Sequence, residues 1–130
     1  MFTDVTHVTV FVDDQDEAIA FYADVLGFEV RVDSPMGDEG RWVTVAPPGA
    51  SVPELTLVEA DSDGKRERIG SQAADHVFLV LESSDLYADY ERLQEASVEF
   101  HGEIREVPWG IDATFEDPWG NVYNVVEPEG

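Results

Sequence analysis

Histidine is the side chain whose ordinary titration falls closest to neutral pH, and this chain of 130 residues has three of them and no cysteine. Two, His7 and His76, stand 69 residues apart in matching surroundings. Each opens a run of β-branched and apolar residues, VTHVTVFV at 5–12 and DHVFLVLE at 75–82, and each run leads into an acidic, amphipathic stretch. A chain that repeats a strand-histidine-helix unit sets two imidazoles at equivalent points of an internal pseudo-twofold. Without cysteine there is no disulfide, no thiolate nucleophile and no thiolate zinc site. Any metal would have to be held by histidine, carboxylate or amide. The third histidine, His101, has no counterpart in the repeat and reads as a surface strand residue.

The elements that must position these residues can be read from periodicity. Alternation over 5–12 predicts a strand with His7, Thr9 and Phe11 on one face. Asp14 and Glu17 have capping-box spacing for a helix whose apolar positions Ile19, Tyr22, Ala23 and Leu26 follow i, i+3, i+4, i+7, and Gly27 is placed to end it. Strands follow at 28–33, 41–46 and 54–60, separated by the turn-rich PMGDEG and PPGASVP. Residues 61–73 are polar and without clear period, and read as the connection between halves, with KRER a solvated loop. The second half predicts a strand at 75–82, a helix from about 85 to 95 capped by Ser84 with Leu86, Tyr90 and Leu93 inward, and strands near 98–104, 111–117 and 121–127. Each half is therefore β-α-β-β-β: a first module over 1–60, a connector, and a second over 74–130. Neither half covers its own sheet, so the two associate within the chain or exchange between two chains.

Composition narrows the partners. A net charge of −22, from 29 acidic residues against six arginines and Lys65, repels nucleic acid and anionic membranes, both of which are bound by basic surfaces. Hydrophobic residues make up 43% of the chain and are periodic, so the charge does not signal disorder. No apolar run approaches the roughly 20 residues of a membrane span, and the first residues carry no basic stretch followed by an apolar one. The expectation is a soluble cytoplasmic protein. The nearly lysine-free acidic surface resembles that of proteins from salt-loving organisms, where a Debye length of about 3 Å at 1 M salt quenches self-repulsion. Loss of structure at low salt is expected, and an unchanged melting temperature after dialysis to low salt would sink that expectation.

A doubled β-α-β-β-β unit with HV in each first strand, AFYADVLGF in the first helix and EDPWGN before the last strand resembles the vicinal oxygen chelate superfamily of glyoxalases, extradiol dioxygenases, and fosfomycin- and bleomycin-resistance proteins. The resemblance spans essentially the whole chain. It implies an α+β fold in which two such modules form a curved mixed sheet around a cleft, completed in a homodimer. It also implies a site. The family's first-strand metal-ligand positions fall on His7 and His76, and the last-strand positions on Glu54 and Asn124, the latter four residues after Gly120 in DPWGNVYN. Glu54 and Asn124 are 70 residues apart, nearly the offset of the histidines. The implied cofactor is one divalent ion (Fe, Mn, Ni, Co or Zn) acting as a Lewis acid on a small oxygenated substrate, in an isomerase, lyase or dioxygenase.

Asn124 departs from the family pattern. Glyoxalases carry glutamate there as ligand and proton-transfer base, whereas an amide cannot take a proton near pH 7. The alternative is therefore a metal-free module that sequesters an aromatic or cationic compound, like the bleomycin-resistance proteins; a third reading is a fold whose site has decayed. By the period-two alternation of a strand, Glu54, Thr56 and Val58 share one face and Leu55 and Leu57 the other, which turns Glu54 toward the cleft. Phe11, Trp42, Phe78 and Trp109 are candidates to line it, with the core as their competing place. Arg41 and Arg105 could hold an anionic substrate or serve as surface ion-pair partners. Glu116 and Asp117 belong to the turn before the last strand.

Overall fold

The computed structural model describes residues 1–130, apart from the side chain of Glu39. The chain divides into two units, Met1–Ile69 and Gly70–Gly130, and the division falls inside the segment expected to join the halves.

The first unit runs β1 (His7–Val12), α1 (Gln15–Ile19), β2 (Glu29–Pro35), β3 (Arg41–Ala46), β4 (Glu54–Glu59) and α2 (Asp63–Arg68). Its sheet has the order β1-β4-β3-β2, with β1 and β4 parallel and the remaining pairs antiparallel. One face is apolar: Val10, Val12, Val43, Val45 and Leu57 are fully buried, joined by Leu55. Each such side chain contributes about 1.5–3 kcal/mol by leaving water.

The helix that follows β1 begins as the sequence predicts, with the Asp14 carboxylate accepting from the Glu17 N–H at 3.0 Å. It then widens into a π-helical segment over Ala20–Val25, where the Leu26 N–H reaches back five residues to the Phe21 carbonyl at 2.9 Å. The widened turn shifts the phase of the apolar stripe. Ala18, Phe21, Tyr22 and Leu26 are buried in place of the regular Ile19, Tyr22, Ala23, Leu26 series, and the Phe21 and Tyr22 rings meet edge to face at 5.3 Å. Gly27, at φ +84°, ends the helix as expected.

The 61–73 segment is not a structureless loop. The Ser62 hydroxyl accepts from the Lys65 N–H and starts α2, and Lys65–Asp61 (2.6 Å) and Arg66–Asp63 (3.0 Å) pair along its length. Helix spacing of three and four residues brings these opposite charges together, a pattern easily taken for solvated loop because α2 buries nothing.

The second unit runs β5 (Leu79–Glu82), α3 (Leu86–Glu95), β6 (Glu99–Phe100), β7 (Arg105–Val107), β8 (Gly110–Glu116) and β9 (Val122–Pro128). The order is β5-β9-β8-β6, with β7 also paired to β8 and β5 parallel to β9. The strand expected at 98–104 is split. Between the pairs Phe100↔Phe115 and Arg105↔Asp112, residues 101–104 face only 113–114, so two extra residues loop out at Gly102, whose φ is +107°. The helix cap is Asp85, not Ser84: its carboxylate accepts from the Ala88 N–H, while Glu127 accepts from the Leu86 N–H at 2.7 Å. Its core holds a run of aromatic rings, with the Phe115 ring 5.2 Å from Tyr123 and 5.7 Å from Phe100, and Leu86 and Leu93 buried on α3. Among the described residues no helix is long and apolar enough to cross a membrane.

Candidate functional site

In the first unit, strand register brings three of the sequence candidates together. His7 and Glu54 are direct partners across the parallel β1–β4 pair, and the imidazole Nε2 lies 4.0 Å from the Glu54 carboxylate. Trp42, on β3, presents its ring 5.7 Å from that of His7. Phe11, further along β1 and half-buried, shares the His7 face. Alternation does what the sequence predicts for β4, since Leu55 and Leu57 pack inward and Glu54 takes the other face, its side chain 21% exposed. On the same face the register sets Thr44 opposite Thr56, and both hydroxyls are buried with no partner among the described residues.

The second unit does not repeat this arrangement. By the register of β5 and β9, Asn124 pairs laterally with Val80, and on its other side with Thr114 of β8. His76 lies four residues before Val80, in an exposed bend that precedes the strand, its N–H donating to the Ala73 carbonyl. The expected strand at 75–82 thus begins only at Leu79. Phe78 stands just before it, its ring 6.3 Å from the core residue Tyr123. Trp109 occupies the β7–β8 turn and is 58% exposed. Equal offsets in sequence, 69 for the histidines and 70 for Glu54 and Asn124, therefore do not become equal positions in the sheets.

A polar network that periodicity did not single out surrounds Asn124. Asp112, 2% exposed, is held by the Arg105 guanidinium through two bonds, Nε to Oδ1 at 2.7 Å and Nη2 to Oδ2 at 3.2 Å. The hydrogen bond from Arg105 holds the Asp112 carboxyl below its ordinary value against the opposing effect of burial, with the Asn124 amide adding to the shift. The Asn124 Nδ2 lies 3.3 Å from Asp112 Oδ2, 3.4 Å from the Ala113 carbonyl and 3.3 Å from Thr114 Oγ1. His101, bonded through its N–H to the Thr114 carbonyl, sets Nε2 3.0 Å from Glu116. A cavity of about 280 Å³ opens beside His101, Arg105, Asp112 and Thr114. The signal for this face was present in IDATFE, where Asp112, Thr114 and Glu116 alternate with Ile111, Ala113 and Phe115. Glu116 thus pairs with histidine, while Asp117 does serve the turn, accepting from the Trp119 and Asn121 N–H groups.

Both candidate anion-binding arginines are engaged. Arg105 is committed to Asp112, and Arg41 forks onto Asp33 at 2.7 and 2.8 Å while also reaching Asp16 at 2.8 Å. These bonds push the Arg41 guanidinium further up and hold Asp33 below its ordinary value.

Among the described residues, no group of three or more His, Cys, Asp or Glu side chains is placed to hold a metal. His7 and Glu54 supply two donors where a metal centre takes three or more from the protein. Asn124 spends its amide nitrogen within the sheet.

The profile of the Glyoxalase/Bleomycin resistance protein/Dioxygenase superfamily matches residues 4–125. A protein of Shewanella frigidimarina is 36% identical over 124 residues, which are 95% of this chain and 92% of that protein. Among solved structures, TnmS3, an antibiotic binding protein from Streptomyces sp. CB03234, is 35% identical with a TM-score of 0.78, covering 98% of each chain. A member of the same superfamily from Sphaerobacter thermophilus is 32% identical with a TM-score of 0.82, covering 97% of this chain and 98% of that one.

Proposed function

This chain belongs to the glyoxalase/bleomycin-resistance/dioxygenase superfamily, and from that membership we propose that it is a small-molecule-binding protein which sequesters an aromatic compound without a metal and without transforming it. The observation that carries this reading is the state of Asn124. At the position where the family's glyoxalases hold a ligating, proton-accepting carboxylate, this chain has an amide that donates to Asp112, Ala113 and Thr114. Such a group neither ligates strongly nor accepts a proton near neutral pH. The similarity to TnmS3 over nearly the whole of both chains supports an antibiotic-like ligand. His7, Trp42 and Glu54 supply a ring face and a carboxylate suited to an aromatic cation, and the net charge of −22 speeds its capture. The same reading places the protein in the cytoplasm as a homodimer, a second copy completing the cleft.

The test uses chelator-treated protein and proflavine, a planar cationic dye, in 0.5 M salt to suppress non-specific attraction. Saturable one-to-one binding is expected, read by dye anisotropy, with the dye recovered unchanged and affinity unaltered by added Ni or Mn. Binding that appears only with metal, or a chemically altered dye, would return the protein to the enzymes of the family. No saturable binding would remove the sequestering role.

A further inference from the structure

Asn124 has one group left to use. Its carbonyl oxygen accepts no hydrogen bond among the described residues, yet it is not among the chain's buried unpaired atoms, so it remains accessible. Its direction is fixed by chemistry. Asp112 is an acceptor and nothing else while ionised, and a flipped amide would set carbonyl oxygen against carboxylate oxygen inside the sheet. The Arg105 fork keeps Asp112 charged although it is 2% exposed. With Nδ2 drawn to β8, Oδ1 is turned away from β8. On the side away from β8 an apolar strip runs past it, bordered by Glu82 on β5 and by Asp112 and Glu116 on β8: Val80, the lateral neighbour on β5, is 65% exposed, and Val122 and Val126, two residues either side of Asn124 on β9, are half-buried.

We propose that this face of the second unit recognises the hydrogen-bond donor of a flat, largely apolar ligand: Asn124 Oδ1 accepts an O–H or N–H from a compound whose ring system lies over Val80, Val122 and Val126, and Asp112 is the positioning residue that orients the amide. The inference rests on the binding role proposed above and names the chemical class that the site takes. A hydroxy- or amino-substituted aromatic satisfies both requirements, whereas the same ring with its donor blocked leaves the Asn124 oxygen unpaired and desolvated. A neutral hydrogen bond discriminates by about three- to tenfold.

The experiment compares 2-naphthol with 2-methoxynaphthalene, which share the ring and differ in the O–H donor, by ligand-observed NMR against the full chain. The wild type is expected to prefer 2-naphthol by about three- to tenfold. Asn124→Leu, which keeps the volume and removes the acceptor, should abolish the preference, weakening 2-naphthol while sparing the ether the cost of an unpaired Asn124 oxygen. Asp112→Asn, which keeps the shape and frees the amide to turn, should narrow the preference by weakening 2-naphthol while saturable binding of the ether persists, a split that a purely structural role would not produce. Retained preference in Asn124→Leu would overturn the assignment. Equal binding of the two probes, or binding of proflavine but of neither naphthalene, would overturn it while leaving the sequestering role intact. Failure of all three compounds to bind would overturn both.

Discussion

The two units are built on one plan and differ in how the first and last strands of each are set against one another. In the first, β1 and β4 start together, so His7 at the head of one strand is level with Glu54 at the head of the other. In the second, β5 starts late, and the residue level with Asn124 is Val80, with His76 left behind in the bend. A slip of an even number of residues preserves which face each side chain takes but changes its lateral neighbour. The same repeat thus yields an imidazole-carboxylate pair in one unit and a valine-amide pair in the other. Register alone decides which side chains stand level within a sheet, with every residue of the motif still present.

The sharpest way to test the contrast is at the inward faces of the sheets, where the first unit packs valine and leucine and the second includes the Phe115 and Tyr123 rings. Phe115→Ala removes the ring packed between Phe100 and Tyr123, and is expected to cost about 3–5 kcal/mol by chemical denaturation. Leu57→Ala, at a fully buried position between strands, should cost about 2–5 kcal/mol and less than Phe115→Ala. A reversed ranking would show that the aromatic cluster is not the better-packed core.

The next test acts on the register itself. Asn124→Glu restores the carboxylate found in the family's glyoxalases. If Asn124 and His76 are separated as β5 and β9 place them, the variant should take up no stoichiometric Ni or Mn by calorimetry. It should also melt a few degrees lower, since the new carboxylate faces Asp112 where an amide donated to it. Metal uptake at one equivalent, lost again on adding His76→Ala, would break the comparison by showing that the histidine reaches the position despite the slip.

Acid separates the units by a smaller margin. Asp112 in the second unit and Asp33 in the first both sit below their ordinary value because arginine donates to them. For a depressed carboxyl the folded state stays ionised where the unfolded chain, near 3.9, already binds its proton. The stabilisation is complete above that value and disappears as pH falls through the folded one. The difference in melting temperature between wild type and Asp112→Asn should therefore shrink as pH is lowered below about 4. Asp33→Asn should follow the same course with a smaller difference, because the Asp33 side chain is 41% exposed against 3% for Asp112. A larger effect at Asp33 would mean that exposure does not set the scale.

Much of this was legible in the sequence because it rests on local rules. The Asp14 cap, Gly27, the alternation in β4 and the DPWGN turn each follow from one or two residues and their neighbours. The π-helical segment was not legible: it goes with the joint burial of Phe21 and Tyr22, which a regular 3.6-residue period does not predict. The split second strand depends on two residues looped out at Gly102, visible only once β8 fixes both ends. Residues 7, 54, 76 and 124 were implied by the family resemblance and supported by their spacing, and spacing counts residues along the chain. Whether two strands start level is decided by their hydrogen-bond ladder, which no single-sequence period encodes. The Asp112 stripe was readable in IDATFE but carried no chemistry until Arg105 and Asn124 were seen to meet it.

The smallest expected effect concerns the histidine-glutamate pairs, one on each unit. His101 and Glu116 approach to 3.0 Å, with side chains 40% and 30% exposed, while His7 and Glu54 stand 4.0 Å apart, 41% and 21% exposed. Water reaches both, so neither contact should exceed about 1 kcal/mol. Distance then orders them: Glu116→Gln should lower stability slightly more than Glu54→Gln. Their effects on binding should run the other way. Glu54 borders the Trp42 and His7 rings proposed to receive a cation, so Glu54→Gln should weaken proflavine, whereas Glu116→Gln should leave its affinity unchanged. If both substitutions act alike on stability and on dye affinity, the first unit has no claim to the cation.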